Sequence, residues 1–247
     1  MTHSMKDDIA ISFCDFEVSV GEKRKTKIFG PFTKKIHIGD NVSLTGPSGC
    51  GKTTVLNQIV DHVSGQEVTN SLFCIQGKWD YFPQNNFLLP WYSARRNLMA
   101  LDDHNLVHSM EAQILSEELG IKDVLDAPYS SLSGGERQRI GLWILLLRKP
   151  GVVLIDEPFT ALDLKMKLKC LSLLGEYLSS DVVTSIMVSH DLDVLTYIAD
   201  VLWYMNPDSN EIVEKKNNPL KNYDLENYKN RRISNDVLEI FNIITNG

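Results

Sequence analysis

One eight-residue segment, Gly46-Pro47-Ser48-Gly49-Cys50-Gly51-Lys52-Thr53, constrains the fold more than any other feature of the sequence. It matches G-x-x-x-x-G-K-[ST], follows the apolar run 42–45 and precedes a helical pattern over 53–63. Glycines let such a loop wrap a phosphate, while successive N–H groups at a helix N-terminus supply positive potential. The segment therefore predicts a nucleotide phosphate site, in which Lys52 reaches the β- and γ-phosphates and Thr53 offers its hydroxyl to Mg²⁺.

Two further apolar runs end in side chains that can do chemistry. The run 152–155 leads into Asp156-Glu157, and the run 185–188 leads into Ser189-His190. Buried parallel strands have this composition, and the helical patterns at 53–63 and 165–178 alternate with them. We therefore expect an α/β fold with a mainly parallel sheet, in which the reactive groups collect at the carboxyl ends of the strands.

The rest of the chain divides by its patterning. Alternating apolar residues before residue 40 predict an antiparallel β layer that leads into the core, and the spacing of Ala112, Leu115 and Leu119 predicts helix. We expect three parts: a nucleotide-binding core with its β layer at 1–84 and 151–205, a helical insertion at 85–150, and a polar tail at 206–247 with a short helix over Val237–Ile244.

The adjacent carboxylates Asp156 and Glu157 are closed by Pro158, which cannot continue a central strand. Two carboxylates at a buried strand end need a counter-charge, and Mg²⁺ would supply it. On this interpretation Asp156 holds the metal through its water shell and Glu157 acts as general base on an attacking water. The alternative is a solvated acidic loop.

The segment Ser133-Gly134-Gly135-Glu136 precedes a helical pattern that continues through Leu147. Ser133 and Glu136 have the spacing of a capping box, which satisfies free N–H groups at a helix N-terminus. A capping box does not need two glycines, and their missing side chains would let a phosphate approach the helix. A second anion site and a simple cap both remain open from spacing alone.

Charge and composition exclude several function classes. The chain of 247 residues has 25 basic and 32 acidic side chains, a formal charge of −7 that gives no reason to expect nucleic-acid binding. No apolar run approaches the roughly 18 to 20 residues that cross a bilayer, and residues 1–10 lack the features of a signal peptide. Its four cysteines form no C-x-x-C pair, so we expect reduced thiols and a cytoplasmic protein.

Taken together and in this order, these motifs resemble those of the nucleotide-binding subunit of ATP-binding cassette (ABC) transporters, whose core is a P-loop NTPase fold with a helical subdomain. The matching residues are the phosphate loop with Thr54, the Q-loop Gln84, the signature Leu132–Gln138, the Walker B strand Val152–Glu157, the D-loop Ala161-Leu162-Asp163 and the switch His190.

The resemblance implies a head-to-tail dimer, most simply a homodimer, that sandwiches Mg·ATP between two subunits. The phosphate loop of one subunit would face Ser133, Gly134, Gly135 and Glu136 of the other. Gln84 would meet Mg²⁺ and the lytic water, His190 would meet the γ-phosphate, and Asp163 would communicate between the subunits. The intact Glu157, Gln84 and His190 argue against a module that no longer hydrolyses ATP.

Residues 87–91, Phe-Leu-Leu-Pro-Trp, resemble the importer branch that serves nitrate, sulfonates, taurine and related compounds. The resemblance implies a membrane-embedded permease as partner, a solute-binding protein acting indirectly, and a place on the cytoplasmic face of the membrane. Trp91 would then face the permease, and a core position is its alternative. A soluble ABC-type ATPase that acts as a conformational switch is the alternative function.

The sequence departs from this family at the adenine site. The family usually stacks adenine on an aromatic residue, often Tyr, in the N-terminal β layer, yet neither Tyr nor Trp occurs before Gly46. Phe16 is the best candidate for that position.

Overall fold

A computed structural model of the chain describes residues 8–21, 26–65, 72–84, 88–101, 106–189, 194 and 197–215. Two predicted features, the switch His190 and the helix over Val237–Ile244, lie outside these residues.

Within the described residues, six strands form the central sheet in the order β5-β6-β7-β3-β8-β9. All neighbours are parallel except β8 and β9, which are antiparallel. Every residue of β3, β6 and β7 is buried, as expected of parallel strands that are covered on both faces. The strands are β3 (Asn41–Thr45), β5 (Trp79–Phe82), β6 (Val152–Asp156), β7 (Thr184–Val188), β8 (Val201–Asn206) and β9 (Glu211–Lys215).

A three-stranded antiparallel sheet packs against this core through its apolar face. Its strands, in the order β2-β1-β4, are β1 (Ile9–Val20), β2 (Thr26–His37) and β4 (Leu72–Ile75). Phe13, Phe16 and Phe32 pack together on that face with ring centroids 5.3–5.4 Å apart, and Phe13 also contacts Trp203 of β8. The predicted α/β fold with an N-terminal antiparallel layer is thus confirmed, while β4 was not predicted.

Five α-helices complete the described part of the chain: α1 (Lys52–Val63), α2 (Ala94–Ala100), α3 (Met110–Glu118), α4 (Gly134–Arg148) and α5 (Leu164–Leu178). Between residues 88 and 150, the described regular elements are helical, with α2 to α4 joined by short 3₁₀ turns. Among the described helices, none is both long and apolar enough for a bilayer crossing.

The expected polar tail, residues 206–247, contains a strand at 211–215 that its sequence pattern does not predict. This segment is β9, which pairs with β8 from Leu202↔Lys215 to Asn206↔Glu211. Only Ile212 is buried in it, since β9 is an edge strand with a mostly solvated surface. Such a strand carries little apolar signal in its sequence.

Helix α4 belongs to the hydrophobic cluster that joins the helical segment to β6 and α5. Its residues from Ile140 to Leu147 are all buried, and Trp143 has 0% exposure. The Trp143 indole Nε1 donates a hydrogen bond of 2.9 Å to the carbonyl of Ala112 in α3. This side chain therefore joins α3 to α4 both by packing and by a buried hydrogen bond.

We predict that Trp143→Ala lowers the free energy of unfolding by about 3–5 kcal/mol, because it leaves a large cavity in a close-packed core. Trp91→Ala is the matched control: Trp91 is 70% exposed, so its loss should change stability by no more than about 0.5 kcal/mol. Equilibrium urea unfolding measures both values, and equal losses for the two variants would contradict the packing described here.

Candidate functional site

Part of the predicted site, the phosphate loop with Gln84, Asp156 and Glu157, meets at one edge of the central sheet, where the parallel strands end. The register pairs Phe82 of β5 with Ile155 of β6, and Asp156 of β6 with Val188 of β7. Leu44 of β3 also pairs with Val188, so the phosphate loop, which follows β3, begins at the same edge. Side chains that follow these strands are therefore brought together, as the carboxyl-end rule predicts.

The N-terminus of α1 is built differently from the other helix starts. Four described helices have a side-chain cap on the first turn, from Ser93, Ser109, Ser133 and Asp163. The N-cap of α1 is Gly51, which makes no side-chain cap, and the first turn of the helix contains no acidic residue. Its leading N–H groups and the positive end of its dipole therefore suit an anion.

The backbone conformation at Gly51 favours glycine at this position. Its φ of 104° lies in the left-handed region, and a Cβ there would stand 2.9 Å from Cδ1 of Ile28 in β2. Ile28 thus covers the start of α1 from the β layer. Sequence reasoning missed Ile28, because alternation predicts a strand but not which loop its outward side chains will touch.

Lys52 lies within the phosphate loop and is only 5% exposed. Its Nζ donates to the carbonyl oxygens of Gly46 and Pro47 at 2.9 and 2.8 Å. The ammonium group is therefore held inside the curve of the loop by the loop's own backbone, where its charge adds to the potential of the helix end.

Thr53 and Asp156 connect the phosphate loop to the carboxylate strand. Thr53 Oγ1 lies 3.3 Å from Oδ1 of Asp156, a side chain with 1% exposure at the end of β6. The pKa of the Tyr81 hydroxyl, on the neighbouring strand β5, is raised to about 12. Burial is the larger cause, and the negative charge of Asp156 adds to it. Asp156 is therefore part of a buried polar arrangement, which the solvated-loop alternative did not anticipate.

Glu157 and Gln84 form the second pair at the edge. Gln84 Nε2 donates a hydrogen bond of 2.8 Å to Oε2 of Glu157. Glu157 has φ 43°, a left-handed conformation that residues other than glycine rarely adopt, and its N–H donates to the Val188 carbonyl at 2.9 Å. Such strain is concentrated at functional sites, where the surroundings enforce it.

The oxygen atoms at this edge fit Mg²⁺, which prefers carboxylate, hydroxyl and amide oxygens. Thr53, Asp156 and Gln84 supply these three types. In the described part of the chain, no group of three or more His, Cys, Asp or Glu could hold a metal ion. Mg²⁺ usually keeps several waters and shares its remaining positions with substrate phosphates, so it needs few ligands from the protein.

The signature segment forms the capping box that its spacing predicts. Ser133 N donates to Oε2 of Glu136 at 2.7 Å, and Glu136 N donates to Ser133 Oγ at 3.3 Å. The hydrogen bonds from the Ser133 backbone and then from its hydroxyl lower the pKa of the Glu136 carboxyl. The cap does not explain the two glycines, however.

Gly134 and Gly135 are explained in part by a contact within the chain. A Cβ on Gly135 would lie 3.1 Å from the carbonyl oxygen of Ala161, and one on Gly134 would lie 3.4 Å from the Ala161 Cβ. The loop after β6 therefore crosses the first turn of α4 directly. Asp163, at the end of that loop, caps α5 by accepting a hydrogen bond of 3.0 Å from the Met166 N–H.

Two sequence interpretations are resolved by burial. The prediction that Phe16 stacks on adenine is wrong, because its ring is 1% exposed and packed between Phe13 and Phe32. The core alternative for Trp91 is also wrong, since Trp91 is 70% exposed beside Leu89, itself 39% exposed.

Comparison with known proteins gives one family for this chain. The family model described as ABC transporter matches residues 29–160. The aliphatic sulfonates import ATP-binding protein SsuB 1 of Pseudomonas syringae pv. syringae (strain B728a) is 37% identical over 162 residues, 66% of this chain and 67% of that protein. The bicarbonate transport ATP-binding protein CmpC of Synechococcus elongatus is 33% identical over 67% of this chain, but the match spans 27% of CmpC.

Among solved structures, the ATP-binding cassette MJ0796, in a dimeric post-hydrolysis state bound to ADP and Pi, superposes with a TM-score of 0.70 at 22% identity. The match covers 83% of this chain and 98% of that one, and it establishes a shared fold.

Proposed function

The chain belongs to the ABC transporter family as an ATP-hydrolysing subunit of its importer branch, and from this premise we propose that it powers the uptake of a small solute through a separate permease. The observation that carries the proposal is the contact of Gln84 with Glu157 beside the phosphate loop. It sets a carboxylate and an amide together where a γ-phosphate bound by the loop would be hydrolysed.

The loop from Gly46 to Thr54 would bind the triphosphate. The uncapped N–H groups of α1 would receive phosphate oxygens, and the Lys52 ammonium would exchange its carbonyl partners for the β- and γ-phosphates. Thr53, Asp156 and Gln84 would hold Mg²⁺, which when bound neutralises charge that develops on the phosphate oxygens.

Glu157 would act as the general base in hydrolysis. Its carboxylate accepts a proton from a water whose oxygen attacks the γ-phosphorus, and the bond to the β-phosphate oxygen breaks to give ADP and phosphate. Gln84 holds the carboxylate by its 2.8 Å hydrogen bond and so orients the base. His190 would contact the γ-phosphate, as the family resemblance implies.

A second copy of the chain completes each site. Ser133, Gly134, Gly135 and Glu136 form a capped helix start whose serine and first glycine are exposed, which suits contact with nucleotide on another subunit. Support also comes from the dimeric form of MJ0796, which shares the fold. Asp163 would carry contacts between the subunits from the start of α5.

The remaining partners are a membrane-embedded permease and, through it, a solute-binding protein. The exposed Trp91 and Leu89 provide an apolar surface for the permease. We therefore place the subunit on the cytoplasmic face of the cell membrane, with no role in nucleic-acid binding. Relatives named for sulfonates and for bicarbonate support a small anionic cargo, such as a nitrate-, sulfonate- or taurine-like compound.

Replacing Glu157 by Gln should lower ATP turnover by about 10² to 10⁴-fold, because it removes the base while Lys52, Thr53 and Asp156 remain to bind Mg·ATP. Since reopening would need hydrolysis, the variant should accumulate as an ATP-bound dimer in size-exclusion chromatography. Phosphate release measured on the same sample gives the rate.

The control for this variant is Glu176→Gln, the same change at an exposed position of α5, which should keep both turnover and elution volume. Near-normal turnover of the Glu157 variant would reject Glu157 as the base. Tight ATP binding by a protein that stays monomeric at every concentration would reject the sandwich of two subunits.

Replacing Trp91 by Ala should reduce co-purification with the permease severalfold and leave ATP binding unchanged, because Trp91 lies outside the phosphate loop. Met110→Ala, at a 79% exposed position of α3, controls for the loss of any exposed apolar side chain. If Trp91→Ala keeps full complex formation, the permease does not dock on this surface.

A further inference from the structure

The side chain of Gln138, in the second turn of α4, is fixed at both ends of its amide by the loop that follows β6. Its Nε2 donates a hydrogen bond of 3.0 Å to the Thr160 hydroxyl, and its Oε1 accepts one of 3.0 Å from the Ala161 N–H. Donor and acceptor are thus both used on adjacent residues of one loop. We call these two hydrogen bonds the Gln138 bridge.

The loop has little room to move against α4 while the bridge is formed. A Cβ added to Gly135 would lie 3.1 Å from the Ala161 carbonyl oxygen and 3.3 Å from Cδ2 of Leu162. The bridge holds Thr160 and Ala161, and the glycine contact involves Ala161 and Leu162, so Ala161 is held by both. A displacement of α4 would therefore carry this part of the loop with it.

The bridged residues lie close in sequence to the proposed base. Thr160 is three residues after Glu157, and the intervening Phe159 is 5% exposed and packed in the core. Glu157 itself is strained at φ 43° and is held by its N–H bond to Val188. A strained residue keeps its conformation only while its surroundings enforce it. We therefore expect a shift of Thr160 to move the Glu157 carboxylate.

We propose that Gln138 is a positioning residue for hydrolysis, which couples helix α4 to Glu157 within one subunit; this rests on the proposed function. The bridge transmits the position of the helix start to the loop and so to the base. Its two hydrogen bonds reach Thr160 and Ala161 and not the phosphate loop, which follows β3, two strands away from β6 in the sheet. Loss of the bridge should therefore lower kcat and spare the KM for Mg·ATP.

The test compares full-length variants that remove one end of the bridge. Gln138→Met keeps the length of the side chain without its polar atoms, and Thr160→Val keeps the shape of threonine without its hydroxyl. Each should lower kcat by about tenfold or more while KM stays within about twofold, and the double variant should lose no more than the worse single one. Thr160→Ser, which keeps the hydroxyl, should recover most of the turnover.

Hydrogen exchange measured by mass spectrometry gives a readout that does not depend on activity. Gln138→Met should speed exchange in the peptide that contains the Ala161 N–H, whereas Gln113→Met, the same change at an exposed site of α3, should alter neither exchange there nor kcat.

These measurements separate failure of the inference from failure of the proposed function. Wild-type kcat in Gln138→Met, or losses that multiply in the double variant, would overturn the positioning role. Unchanged exchange at Ala161 would show that the bridge does not hold the loop and would overturn it as well. Absence of ATP turnover in the wild-type chain would instead reject the proposed function, and with it any role of Gln138 in hydrolysis.

Discussion

The uncapped start of helix α1 is the constraint on which the rest of the site depends. Its N–H groups have no side-chain partner, in contrast to the four capped helices, and Lys52 adds a positive charge within the same loop. A nearby anion stabilises a positive helix end of this kind. The buried Asp156 carboxylate lies close to it, with its Oδ1 3.3 Å from the Oγ1 of Thr53. Glu157 and Gln84 then extend the same edge.

Much of this arrangement could be predicted, because the residues that form it carry local signals. The strands β3, β6 and β7 are buried on both faces and therefore read as apolar runs, and the phosphate loop has a strict pattern of glycines. The capping box at Ser133 follows from spacing alone. Gln84 has no such signal, and only the family resemblance singled it out.

The features that the sequence did not predict correctly depend on packing between distant residues, which a single sequence does not reveal. Phe16 is an aromatic residue in a strand, and its alternation gives no means of telling a face that packs on the core from one that stacks on a ligand. The edge strand β9 is mostly polar because solvent covers it. The left-handed backbone of Glu157 and the contact of Gly135 with the Ala161 loop both arise from residues that meet only after folding.

We propose that two copies of the chain complete a site that each one holds in part. The most direct measurement is the rate of phosphate release from Mg·ATP per subunit, followed as the concentration of purified protein rises. The account predicts that this specific rate increases with concentration until the dimer is saturated. A specific rate that is the same at every concentration, or no phosphate release at any concentration, would contradict it.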